Sequence, residues 1–394
     1  MKNPSTLICL FLIFLAFFSC TKTEKKSQNI LYFDLTQNYD EIEIDLDEYV
    51  ADIRTIQLET NENTLLRHFK GFVGEKYIVS VDYDKLLLFS GDGKYITTIT
   101  KKGKGPNEFT QIDAWTVDEN NHCFYFHDYS KNYIYRYDLE NRVYLSDIPF
   151  ESKGYLQNIE LFNDSVLAIL PGMFSAYGYL YFFQEFNGKI LDGIKKEPVP
   201  HPGTWAGASP AFSKWGKNSI VLQPSGSDTV FQINQSEKNP WLIFDLENAQ
   251  KTGDKTVFTT GGVLFSDNEK LFLEKNKFEK TVTEFSASMR SLSTEQLIFN
   301  LKSGKMHSIS KITMQFNKIE IPLNIVGFQN NNRLVVSIQA ASFKSLLKEA
   351  QKNKNLTETE IQKLNAFDQS LSIDDNPIII TGVCKQDIRD LKSI

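Results

Sequence analysis

Between Phe72 and Ile148 the chain alternates short apolar runs with polar turns, and it does so twice in the same order. The first pass reads Tyr77 to Val81 with Asp82-Tyr83, then Leu86 to Phe89, the turn Gly91-Asp92-Gly93-Lys94, and Tyr95 to Ile99. The second reads Cys123 to His127 with Asp128-Tyr129, then Tyr133 to Tyr137, Leu139-Glu140-Asn141-Arg142, and Val143 to Leu145. The two Asp-Tyr pairs stand 46 residues apart. Strands too short to bury a core alone, repeated at about 40–50 residues, predict the blades of a β-propeller.

Looser units follow. A third covers Ile159 to Leu161, Ser165 to Leu170, Tyr179 to Phe183 and the Asn187-Gly188 hairpin signal. A fourth holds Ser219 to Leu222, Asp228 to Ile233 and Trp241 to Phe244, after a Pro/Gly-rich loop from Pro198 to Trp215. A fifth runs through Gly262 to Phe265, Lys270 to Leu273 and Glu295 to Leu301. The sixth has Ile325 to Phe328, Arg333 to Ile338 and Pro377 to Thr381. Inside the sixth, Phe343 to Gln351 and the capping-box pattern Thr357 to Glu360 predict a helical insertion at about 342–371. Upstream, Ile30 to Leu35, Glu41 to Leu46 and Ile53 to Leu58 alternate like strands, and one of them should complete the last blade to close the ring. The fold predicted is all-β: a six-bladed β-propeller over 30–394 with a small helical insertion in the last blade.

Composition sharpens this only slightly. Thirty Phe and 16 Tyr suit half-buried sheet surfaces. A formal charge of −6 lacks the basic balance of a nucleic-acid surface. The first 20 residues stand apart. Lys2 precedes an apolar run from Leu7 to Phe18 that is short for a membrane span, and Ser19-Cys20 resembles the lipobox of bacterial lipoproteins. We read 1–20 as a lipoprotein signal peptide ending at a lipidated Cys20, and the polar residues 21–29 as a flexible tether. The acyl chains of such a cysteine contribute about 0.8 kcal/mol per buried CH₂, enough for stable anchoring. No run of acids follows Cys20, so an outer-membrane protein facing the periplasm is expected. In the mature body only Cys123 and Cys384 remain, and Cys123, inside a strand pattern with aromatic neighbours, reads as a buried free thiol rather than half of a disulfide.

Candidate chemistry is sparse. Gly103-Lys104-Gly105-Pro106-Asn107-Glu108-Phe109 looks at first like a phosphate loop, but a strand pattern follows it where a phosphate site needs a helix N-terminus. It reads instead as a turn between blades. Gly103 and Gly105 would give unusual φ, Pro106 would fix φ, Glu108 would cap amides, and Phe109 would be buried. Alternation puts His122 and His127 on opposite faces, so no metal site is assigned. Asp82 and Asp128 at turns, and His201, Trp205 and Trp215 on the long loop, are the candidate ligand-binding residues. No catalytic residue and no cofactor is predicted.

These residues resemble the six-bladed β-propeller lipoproteins of Gram-negative envelopes, themselves similar to NHL-repeat propellers. The likeness is carried by Ile56-Gln57-Leu58-Glu59-Thr60, by the turn Gly103 to Phe109, by Ser227 to Ile233 with Asn239-Pro240-Trp241, and by Asp375-Asn376-Pro377. It implies a lipid-anchored binding or scaffolding module, expected as a monomer with a protein or glycan partner and no nucleic acid. Two alternatives stay open: a metal-dependent hydrolase or lyase acting on a glycan or lactone, which would gather acids from three or more blades near the axis, and a carbohydrate-binding accessory protein, which would expose coplanar aromatics.

Overall fold

A computed structural model describes residues 30–150, 154–172, 178–195, 211–214, 219–224, 227–234, 237–266, 270–282, 287–316, 319–323, 327–329, 333–352 and 356–385. The strands form six antiparallel blades arranged as a β-propeller, as the repeat predicts. Blade 1 is Gly71–Val73, Tyr77–Val81, Lys85–Ser90 and Tyr95–Lys101; blade 2 is Ile112–Asp118, Cys123–Asp128, Tyr133–Asp138 and the short Val143–Tyr144 with Ile148–Pro149. Blade 3 is Leu156–Asn163, Val166–Pro171, Tyr179–Glu185 and Ile190–Lys195. Blade 4 opens with Ala211–Lys214, a strand inside the segment that reads as a Pro/Gly-rich loop, and continues with Ile220–Gln223, Thr229–Ile233 and Lys238–Asp245.

Blade 5 departs most from expectation. Its strands Lys255–Ser266, Lys270–Val282, Ala287–Asn300 and Lys305–Phe316 are 12 to 14 residues long, against 4 to 8 in blade 4. At about 3.3 Å per residue the excess carries them well beyond the ring. Only Leu297 to Asn300 of the third strand pairs with the fourth, so 255–262, 274–282 and 287–296 form a tongue of their own, edged by the short strand Gln250–Thr252. Alternation signals a strand only where one face is buried, and residues such as Lys275, Lys277, Glu279 and Lys280 line both faces of the tongue with charge.

The N-terminal segment is a strap. Leu31–Asp34 pairs in parallel with the outermost strand of blade 4, and Glu41–Asp45 pairs in parallel with Lys305–Phe316 of blade 5. Val50–Gln57 then joins Gly327–Gln329, Arg333–Ile338 and Ile378–Cys384 as the fourth strand of blade 6. The last blade is thus closed by a strand from the other end of the chain, as anticipated. The strap also covers the edges of two further blades, and uncovered edges are where sheets pair wrongly.

Apolar cores lie between adjacent blades. Phe72, Val79, Leu86 and Leu88 of blade 1 pack with Phe124, Phe126, Tyr135 and Tyr137 of blade 2. Helices α1 (Ala340–Ala350) and α2 (Glu358–Ser370) connect the second and third strands of blade 6. They bury Phe343, Leu347 and Leu364 against it. Thr357 and Glu360 close the predicted capping box reciprocally. Cys123 and Cys384 are buried free thiols in blades 2 and 6, with blade 1 between them. Burial pushes the Cys123 thiol up from its ordinary value.

Candidate functional site

In each blade the connection between strands 2 and 3 leaves one face of the ring, and the crossing from strand 4 to the next blade leaves the same face. By this topology that face carries the turn 82–84, the crossing 102–111, the turn 129–132, the far end of the blade 5 tongue and the α1–α2 hairpin. Loops on a rigid scaffold are where binding residues concentrate. Among the described residues, the tongue and the helical hairpin both lie on that side.

The crossing from blade 1 to blade 2 is built around Glu108. Its Oε2 accepts the Gly105 amide at 2.7 Å, the Glu108 amide donates to the Gly105 carbonyl at 3.2 Å, and the Gly103 amide donates to the Phe109 carbonyl at 2.9 Å. Neither glycine adopts positive φ; the left-handed residue is Asn107, with φ 58°. This corrects the expectation that the glycines supply unusual φ. Gly103 is required for space: a Cβ there would stand 1.9 Å from Glu108 Oε2. The Asn107 carbonyl accepts from the Thr100 hydroxyl, and Phe109 is buried in the core between blades 1 and 2.

Asp82 and Asp128 occupy matching places in sequence but differ in surroundings. Asp128 is fully buried. Its Oδ2 accepts the Thr110 amide at 2.6 Å, and its Oδ1 accepts the Ser130 amide at 3.0 Å and the Ser130 hydroxyl at 2.9 Å. The carboxylate therefore fastens the incoming crossing to the blade. Asp82 is half-buried and, among the described residues, accepts the adjacent Tyr83 amide at 2.7 Å. The tyrosines that follow are the exposed groups, Tyr83 at 78% and Tyr129 at 45%. The Lys102 ammonium sits 3.7 Å from the Tyr83 ring centroid, and its hydrogen bonding and charge draw the Tyr83 phenol below its ordinary pKa. Exposed aromatics backed by a cation form a stacking surface. His201, Trp205 and Trp215 lie outside the described residues.

His127 finds a partner that sequence reading missed. Its Nδ1 lies 2.7 Å from Asp113 Oδ1, with both side chains fully buried, and Asp113 Oδ2 accepts the Leu156 amide of blade 3 at 2.8 Å. A register shift between Ile112 and Ala114 turns Asp113 toward His127, and spacing alone does not reveal a bulge. The pair belongs to a series of polar links between neighbouring blades. Asn158 Nδ2 donates to the Phe212 carbonyl at 2.7 Å, Gln223 Nε2 to the Gly261 carbonyl at 2.6 Å, and Gln329 Nε2 to the Gly71 carbonyl at 2.9 Å. Inner strands have sheet partners on one edge only, so these side chains satisfy backbone groups on the other. Among the described residues no three His, Cys, Asp or Glu side chains gather around a point that could hold a metal ion.

Residues 31–382 match a protein family described as Domain of unknown function (DUF4934). The chain belongs to that family. No curated protein matches this DUF4934 member in sequence. Its fold is similar to the crystal structure of a Bacteroides fragilis protein described as exported, at 14% identity and a TM-score of 0.61, covering 90% of this chain and all of that one. A Bacteroides vulgatus member of the DUF4221 family aligns at 9% identity and a TM-score of 0.45, over 84% of this chain and 96% of the other. At these identities the first likeness shows the fold alone.

Proposed function

We propose that this DUF4934 propeller is an envelope protein, lipid-anchored at Cys20, that presents one face of a rigid ring to a protein or glycan partner and acts by binding. The observation that carries the reading is the placement, among the described residues, of the tongue and the helical hairpin on one side. The blade 5 tongue, the α1–α2 hairpin and the exposed Tyr83 and Tyr129 all stand there, while the carboxylates beneath them, Asp128 above all, hold backbone amides. Export of the B. fragilis protein fits an envelope location, as does the apolar leader before Cys20. The resemblance to NHL-like lipoprotein propellers supports the same assignment.

The binding claim is tested with a photo-crosslinking amino acid placed at Tyr83, and in a second variant at Asn120, which lies on the opposite face in the turn between the first two strands of blade 2. Irradiation of intact cells should give discrete adducts from position 83 and none from position 120. Adducts from position 120 alone, or identical patterns from both, would contradict the assignment of the face.

A further inference from the structure

The crossing from blade 1 to blade 2 ties two turns together. At its start the Lys102 amide donates to the Asp84 carbonyl at 2.7 Å, in the turn that carries Tyr83. At its end the Thr110 amide donates to Asp128 Oδ2 at 2.6 Å, and the Gln111 carbonyl accepts the Tyr129 amide at 3.2 Å. Each turn is also closed on itself, by the Asp82 amide on the Lys85 carbonyl at 3.1 Å and the Lys131 amide on the Asp128 carbonyl at 2.8 Å. Tyr83 and Tyr129 are therefore mounted on one hydrogen-bonded frame. They occupy the same place in consecutive blades, and stacked sheets pack about 10 Å apart, so the frame holds the two turns at a separation of that order.

The frame presents two rings and little other apolar surface. Within 82–85, 101–111 and 128–132, all among the described residues, Tyr83 and Tyr129 are the exposed large apolar side chains. Between them the crossing exposes Lys102, Lys104, Pro106 and Asn107. A protein-docking patch centres on contiguous apolar surface depleted of charge, which these segments lack. They hold five lysines against four carboxylates, so they set up no strong field for a polyanion or a polycation either. Isolated rings among donors and acceptors of both kinds fit a ligand that is amphipathic on the scale of one ring. A pyranose is such a ligand: its C–H face lies on an aromatic ring while its hydroxyls both donate and accept. The Lys102 ammonium covers one side of the Tyr83 ring at 3.7 Å, and at 78% exposure the other side is open to a sugar.

We propose that Tyr83 and Tyr129 form a binding site for a neutral glycan, whose chain runs from one ring to the other over the crossing and covers the exposed Lys104 and Asn107. This rests on the binding face proposed above and selects the glycan among its partners. Backbone hydrogen bonds already fix both turns, so little ordering is left to be done on binding, and preorganisation of that kind favours affinity.

The test runs the full-length protein, in a polyoxyethylene detergent free of sugar headgroups, through native gels that contain soluble neutral polysaccharides with glucan, mannan, galactan or xylan backbones, or polygalacturonate. At least one neutral polymer should retard the wild type. Tyr83→Ala and Tyr129→Ala should each raise the polymer concentration needed for half-retardation by about three- to tenfold, the range set by aromatic stacking. Tyr83→Phe should recover most of what Tyr83→Ala loses, and Tyr32→Ala, which removes an exposed ring from the strap, should change nothing. Retardation by none of the neutral polymers, by polygalacturonate alone, or undiminished in both tyrosine-to-alanine variants at the site overturns the proposal. The crosslinker at position 83 separates this from the face itself. An adduct there that carries peptides of a second protein, with no neutral polymer bound, overturns the glycan and leaves the binding face standing; adducts from position 120 alone overturn both.

Discussion

Gly103→Ala and Glu108→Ala should damage the same interaction, and their coupling can be worked from the geometry. An ideal Cβ on residue 103 stands 1.9 Å from Glu108 Oε2 and 2.5 Å from its Cδ, well inside contact distance. The backbone of residue 103 is compatible with alanine, since its φ is not in the left-handed region. The side chain of Glu108 is the part free to yield, and in swinging away it gives up the Gly105 amide at 2.7 Å. Hydrogen bonds to charged groups contribute roughly 1.5–3 kcal/mol, and a half-exposed turn belongs at the low end. Each single variant should therefore lose about 1.5 kcal/mol. In the Glu108→Ala background the added methyl meets no carboxylate, so Gly103→Ala should cost about 0 kcal/mol there, or stabilise slightly through the unfolded chain. A double-mutant cycle by urea unfolding, followed by tryptophan fluorescence, should return a coupling of about 1.5 kcal/mol. Effects that add to within about 0.5 kcal/mol would show that the two residues act independently and that Glu108 does not hold this turn.

Two other outcomes follow from the packing and charge. Phe109→Ala should cost about 3–5 kcal/mol by the same urea assay, because the ring is buried in the core shared by blades 1 and 2; a loss under about 1 kcal/mol would contradict that placement. Burial raises the Glu274 carboxyl above its ordinary value, in spite of a hydrogen bond with Asn276. A folded-state acid with a raised pKa disfavours folding once the pH exceeds the unfolded value, so the penalty grows as pH rises through the folded pKa and persists above it. Glu274→Gln should therefore raise the thermal midpoint at pH 7 and leave it unchanged near pH 3.5; an equal gain at both pH values would exclude ionisation as the cause.

The blades were legible where their strands are buried. Tyr77 to Val81 and Cys123 to Asp128 each lie against a core on both faces, and their apolar runs and turns mark the repeat directly. The tongue was not legible because Lys270–Val282 leaves the ring after Leu273, and beyond that point no buried face imposes alternation. The strand Ala211–Lys214 was hidden by the Pro/Gly-rich sequence before it. That Ile30 to Leu35 and Glu41 to Leu46 form strands could be read, but their partners could not, since parallel pairing across more than 200 residues leaves no local trace. At the site, the cap at Glu108 and the burial of Phe109 followed from turn chemistry. The left-handed Asn107 and the Asp113–His127 pair depend on a backbone bend and a bulge that spacing does not encode.

That the propeller works as a membrane-tethered module is tested most directly by fractionating cells that express the wild-type chain or Cys20→Ala. The wild type should sediment with membranes and enter solution only with detergent, while Cys20→Ala should remain in the soluble envelope fraction. A soluble wild-type protein, or a Cys20→Ala variant that still sediments with membranes, would contradict the account.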